Sequence, residues 1–184
     1  MNIHTSNRMA SGGSDPHHRY PSGYGYLNLL AWQWMHNFVT DRSASFPLET
    51  MDLTGGEVEI TYMLSPDFDT KGSHILFWFQ MYSGTRQDGP YVNYALKVYP
   101  LENCPKGEWI TAVLPLNSND ADWACMGSSM ERQGFYTCLP IDQALKSVNG
   151  NFGIIAIPIP DGNDPPMGTF RISEFKITYR TILK

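Results

Sequence analysis

An all-β sandwich is the fold class this sequence predicts, and three segments predict it. Residues 107–115 read Gly-Glu-Trp-Ile-Thr-Ala-Val-Leu-Pro, and residues 150–158 read Gly-Asn-Phe-Gly-Ile-Ile-Ala-Ile-Pro. Residues 168–179 read Gly-Thr-Phe-Arg-Ile-Ser-Glu-Phe-Lys-Ile-Thr-Tyr. Each is rich in strand formers and bounded by Gly or Pro, and the last alternates apolar with polar residues, as a half-buried antiparallel strand does. No long amphipathic helix separates them.

The remaining elements follow in chain order. Residues 1–22 are rich in Ser, Asn, Gly and His and lack periodicity. Such a segment does not order alone, so it reads as an extended arm that needs something to lie against, a neighbouring subunit being the natural candidate. Residues 24–34 and 35–40 are strand-like and dense in aromatics. Residues 56–64 place Val58, Ile60, Tyr62 and Leu64 on one face, with Glu57, Glu59 and Thr61 on the other. Residues 73–82 are nearly continuous in apolar side chains, the mark of a central strand covered on both faces. A polar turn over 83–89 leads to strands at 91–99 and 109–114. Residues 117–139 read as an irregular insertion. The span 140–148 is the one helix expected: Pro140 starts it, Asp142 lies in the first turn, Ala144, Leu145 and Val148 form its apolar side, and Asn149-Gly150 stops it. Strands at 152–159 and 169–182 close the chain. About eight strands and one short helix suit a two-sheet antiparallel jelly-roll β-sandwich over 23–184, preceded by the arm.

Composition bounds the function. At 184 residues the chain is expected to form one domain with a sizeable core. A net charge of −5 with no basic run argues against sequence-independent nucleic-acid binding. No apolar run approaches the ~18 residues of a membrane span. Residues 1–19 are polar and lack an apolar h-region, so no signal peptide is expected, and the chain reads as cytosolic, as released by lysis or a specialised route, or as an excised module. Three cysteines, Cys104, Cys125 and Cys138, match no zinc spacing. Cys125 and Cys138 flank one polar loop and are the pair to expect if a disulfide forms; three buried thiols are the alternative.

Certain phrases look like those of known modules. Gly12-Gly13 precedes an aromatic stretch, Leu53-Thr-Gly-Gly-Glu-Val-Glu-Ile-Thr-Tyr opens a core strand, and Asn149-Gly-Asn-Phe-Gly-Ile and Gly168-Thr-Phe-Arg-Ile-Ser-Glu-Phe-Lys-Ile close the fold. Over residues 12–179 the chain resembles carbohydrate-binding-type jelly-roll modules of the laminin B, or type IV, kind. That resemblance implies recognition without catalysis. Such modules commonly end in an Ile-Asp-Asn-Ile-like strand whose acid helps bind a structural calcium. Here the matching stretch is Ile172-Ser173-Glu174-Phe175, with the acid one residue displaced and longer. Glu174, or the oxygen-rich turn at Asp161, is where a calcium would be held. Related jelly-roll modules occur on virion surfaces and tails, where they bind neighbours or host glycans, so a virion or extracellular surface is the location this resemblance favours.

The aromatics carry the main functional expectation, because sugars stack their C–H faces on rings while a polar rim reads the hydroxyls. Trp78 and Trp109 sit in apolar strands and read as core. Trp123 lies in the polar insertion with Asp120, Asp122 and Arg132 nearby, and is the tryptophan that reads equally as an exposed binding ring or as core. Tyr82, Arg86 and Tyr91 flank a second loop. These five residues, Trp123, Tyr82, Arg86, Tyr91 and Arg132, form the expected ligand-binding set for a glycan. The other expected partner is a neighbouring protein subunit, including a homo-oligomer held through the arm. The competing class is a polysaccharide-active hydrolase or lyase using Glu57 and Glu59, which share one strand face; the plainer reading of that pair is two solvated charges. His17 and His18 point apart on an extended segment, while His36 and His74 read as satisfied core residues, so no transition-metal site is expected.

Overall fold

The computed structural model describes residues 2–4, 27–31, 51–82, 91–127, 138–148, 152–158 and 166–181. Within them the elements run β1 (Asn2–His4), β2 (Leu27–Ala31), β3 (Met51–Leu64), β4 (Ser73–Tyr82), β5 (Tyr91–Leu96), β6 (Ile110–Pro115), β7 (Trp123–Gly127), α1 (Ile141–Leu145), β8 (Phe152–Pro158) and β9 (Thr169–Thr181). Two antiparallel sheets result. The first has the order β1-β9-β3-β6 and the second β2-β8-β4-β5-β7. The first strand comes from the segment read as an arm: Asn2 pairs with Arg171 at the β9 edge.

The alternation in β3 works as the sequence indicates. Val58, Ile60, Tyr62 and Leu64 enter the core between the sheets, where they meet Ile75, Phe77 and Phe79 of β4 and Leu114 of β6. Burial of such side chains is the main driving force, at about 25 cal/mol per Å² of apolar surface. Strand β4 is covered on both faces. Its other face carries Leu76 and Trp78, which join Ala95 and Ile155 in a second buried cluster away from the main core.

Strand β9 contains a bulge. Thr61 pairs with Glu174 but Tyr62 pairs with Ile172, which leaves Ser173 as the extra residue. The parity of the apolar positions changes there. Phe170 and Ile172 face the core before the bulge, and Phe175 and Ile177 pack on it afterwards. A second irregularity sits in β3 between Asp52 and Glu57, at Gly55-Gly56. A Cβ on Gly56 would collide with the Thr178 carbonyl oxygen, so the close backbone approach requires glycine.

The helix is shorter than its sequence pattern, ending at Leu145, yet Ile141, Ala144, Leu145 and Val148 are all buried. Pro140 starts it as expected. The larger departure lies in 117–139, expected to be irregular throughout. A one-turn 3-10 segment at Asp120–Asp122, capped by the Asn119 side chain, delivers the chain into β7, which pairs with β5 at the end of the second sheet.

Candidate functional site

The outer face of the first sheet is polar and ordered by register. Glu57 lies between Thr178 and Pro115, Glu59 between Lys176 and Val113, and Thr61 between Glu174 and Thr111. Cross-strand pairs of this kind are the unit of sheet stabilisation. The Lys176 ammonium reaches Glu59 and Glu174, each at 2.9 Å. Its pKa is raised, first by the hydrogen bond it donates to Glu174 and then by the one it donates to Glu59. The hydroxyls of Thr61 and Thr111 share a hydrogen bond of 2.9 Å.

At the rim of this face lies β6. The N–H of Leu116 donates to the Gly56 carbonyl at 2.9 Å, which fixes the parity of the β3–β6 ladder. Bonded pairs recur every second residue in an antiparallel ladder, so Leu114, Ala112 and Ile110 turn their backbone groups to β3. Thr111, Val113 and Pro115 turn theirs away from it. Among the described residues no strand pairs with that side of β6. Val113 is 50% exposed, and so is Trp109, one residue before the strand. From Trp109 to Leu116 there is no charged residue. Natural edge strands are usually blunted by charges or bulges, and this one carries only Pro115.

The residues expected to bind a ligand fare differently. Trp123 opens β7 opposite Leu96 and is 5% exposed. Its ring meets Phe77 and Phe79 edge-on, with centroids at 6.5 and 5.4 Å, and its indole N–H donates to the Asn117 carbonyl at 2.9 Å. The ring placed in the ligand-binding set is therefore corrected to a core ring: β7 points it inward, and the backbone of the preceding loop satisfies its one polar atom. Trp109 is corrected in the opposite direction, from core to half-exposed. An inward residue of β6 is even-numbered, as Leu114 shows, so odd-numbered Trp109 falls on the outer side. That parity was the signal available in the sequence. Tyr82 and Tyr91 pair at the end of the β4–β5 ladder, and their side chains, with all of Arg86 and Arg132, lie outside the described residues.

Of the two residues expected to hold a calcium, Glu174 lies among the described residues. The β9 bulge turns Glu174 to the exposed outer face, where one oxygen meets Lys176. A bound ammonium disfavours a calcium ion at the same carboxylate. Among the described residues no group of three or more His, Cys, Asp or Glu could hold a metal; Asp161 lies outside them. His74 is not a core residue: its side chain is 53% exposed, with Nδ1 2.7 Å from Glu102. Cys125 and Cys138 form a disulfide, and Cys104 is free and partly buried. Among the described residues no helix is long and apolar enough to cross a membrane.

No family model matches the chain, and neither does any curated protein or solved structure.

Proposed function

We propose that this protein is a non-catalytic recognition and assembly module of jelly-roll type, whose contact surface is the edge of β6 turned away from β3, unpaired among the described residues, with Trp109 beside it. The jelly-roll reading is supported by the strand order. Strands β1 to β4 alternate between the two sheets, β5 stays beside β4 in the second, β6 returns to the first, and β8 and β9 insert between earlier strands, an order that paired Greek keys produce. The contact reading rests on one observation: an uncharged edge strand with outward N–H groups on Thr111 and Val113 and half-exposed apolar side chains at Val113 and Trp109. An added strand would satisfy those donors, and the exposed apolar groups would anchor it.

Of the two partner classes, a neighbouring protein subunit fits better than a glycan. The ring expected to stack a sugar is in the core. The catalytic alternative is weaker still, because the carboxylate of Glu59 is committed to Lys176. Building by strand edges is a role that suits a structural subunit, including one of a virion.

The test pairs a glycan array with a measurement of solution mass, each on the wild type and on Trp109→Ala. The assembly reading expects complexes that Trp109→Ala weakens and no retained glycan. Glycan retention that disappears in Trp109→Ala would overturn it in favour of sugar binding at the same ring.

A further inference from the structure

We infer that the occupant of the β6 edge is the β6 edge of a second copy of this chain, joined antiparallel about a two-fold axis at Ala112. The inference rests on the edge-contact reading above and names its partner.

The argument is one of register. On the side of β6 turned away from β3 the available backbone groups belong to Thr111, Val113 and Pro115. Antiparallel pairing about Ala112 places Thr111 opposite Val113 of the second copy, and the reverse. Both residues keep an outward N–H and C=O, so each such pair exchanges two hydrogen bonds. Ala112, whose groups face β3, meets its own copy as the non-bonded pair the ladder requires. Pro115 has no N–H to offer and falls opposite Trp109, at the end of the pairing. There its ring lies against an indole that is half exposed in the single chain. Centring on Val113 instead sets Thr111 against Pro115, which has no N–H, and leaves the Thr111 carbonyl without a donor on each side.

Chemistry agrees with geometry. A homodimer formed at its two-fold brings identical residues together, so any charge near the axis repels its own copy. From Trp109 to Leu116 there is none. Each outward contact pairs an apolar or β-branched group with another. The result is one continuous sheet built from the first sheets of two sandwiches. Edge pairing alone buries less than the ~1,200 Å² of a standard stable interface, so the dimer is expected to depend on concentration.

The experiment is sedimentation equilibrium across a concentration series with the full chain and three variants. The wild type is expected to move from 20.8 kDa towards twice that mass. Val113→Pro removes one outward donor and leaves every bond to β3, and should stay at the monomer mass. Thr111→Lys/Val113→Lys sets like charges across the axis and should do the same; it keeps every backbone donor and decides the matter if Val113→Pro fails to fold. Thr111→Glu/Val113→Lys sets opposite charges across the Ala112-centred register and should restore a salt-sensitive dimer. Only that register pairs Glu with Lys; the neighbouring ones set Glu against Glu or Lys against Lys. A wild type that stays at 20.8 kDa up to its solubility limit would overturn the inference. So would a dimer that persists in both the Pro and the Lys/Lys variants, or a wild-type dimer that Thr111→Glu/Val113→Lys cannot form. A monomeric wild type that retains no glycan sinks the second copy alone. Glycan retention lost in Trp109→Ala sinks the reading beneath it.

Discussion

The carboxylate of Glu102 accepts a hydrogen bond from the backbone N–H of Ile75 at 2.8 Å, across 27 residues of chain. The contact closes a gap in the second sheet. Strand β4 pairs with β5 only from Phe77 onward, because β5 ends at Leu96. Ile75 is fully buried, so its N–H needs a partner, and a side chain from the turn after β5 provides it. The other Glu102 oxygen meets His74 at the surface.

Glu102→Ala should therefore cost about 1–3 kcal/mol, the penalty of a buried donor left unmade. Glu102→Gln keeps an acceptor and should cost less. Urea unfolding of the two variants checks this. Equal losses would mean that the backbone bond contributes little beyond the charge at His74.

The sandwich was legible where one rule acts alone. In β3, alternation decides which side chains are buried, and Val58, Ile60 and Tyr62 could be assigned from period two. The same rule misleads where a single residue resets the count. In β9, Ser173 bulges, so Glu174 turns outward to Lys176 while Phe175 turns inward. The change of parity between Ile172 and Phe175 is written in the sequence, but its strand partner is not. Strand β7 was illegible for a different reason. Five residues after an Asp-rich turn are too few for a period, and pairing with β5 rather than propensity makes Trp123–Gly127 a strand. The exposed edge of β6 was the hardest to see, because whether a strand has one neighbour or two is a property of topology.

The disulfide makes a second prediction. Cys125 in β7 and Cys138 ahead of α1 are 13 residues apart in sequence. The chain-entropy model assigns a loop of that size about 3 kcal/mol. The double variant Cys125→Ser/Cys138→Ser should lose about that much, and amide exchange should rise first in β7. Two other contacts hold the same corner: the Tyr94 hydroxyl bridges to Leu139, and Asp120 accepts from the Ile141 N–H at 2.7 Å. These predict that the helix stays docked at neutral pH after the bond is removed. Loss of protection throughout both sheets would show instead that the corner cannot stand without it.

Acid should weaken the turn between β3 and β4 in a defined direction. Asp69 has its pKa lowered, first by the Lys71 side chain and then by the Lys71 backbone N–H. Its oxygens lie 2.7 and 2.9 Å from those groups. A depressed carboxyl pKa contributes stability above the unfolded value, here 3.8, and loses it as pH falls through the folded one. The difference in thermal midpoint between the wild type and Asp69→Asn should hold steady from neutral pH to about 5 and shrink below the unfolded value. A difference that grows on acidification would contradict the assigned sign.

Trp123 gives the sharpest separation between a core role and a binding role. Its ring fills space against Phe77 and Phe79, and its N–H is satisfied by Asn117. Trp123→Ala removes both and should cost about 3–5 kcal/mol, the range for large aromatics taken out of a packed interior. Trp123→Phe keeps most of the packing, loses the hydrogen bond and leaves the Asn117 carbonyl free to find water, so its loss should be much smaller. A surface ring would show the opposite order of importance, with ligand retention lost and stability unmoved. Thermal and urea unfolding of both variants decide the matter, because a buried tryptophan cannot be truncated without a cavity and an exposed one can.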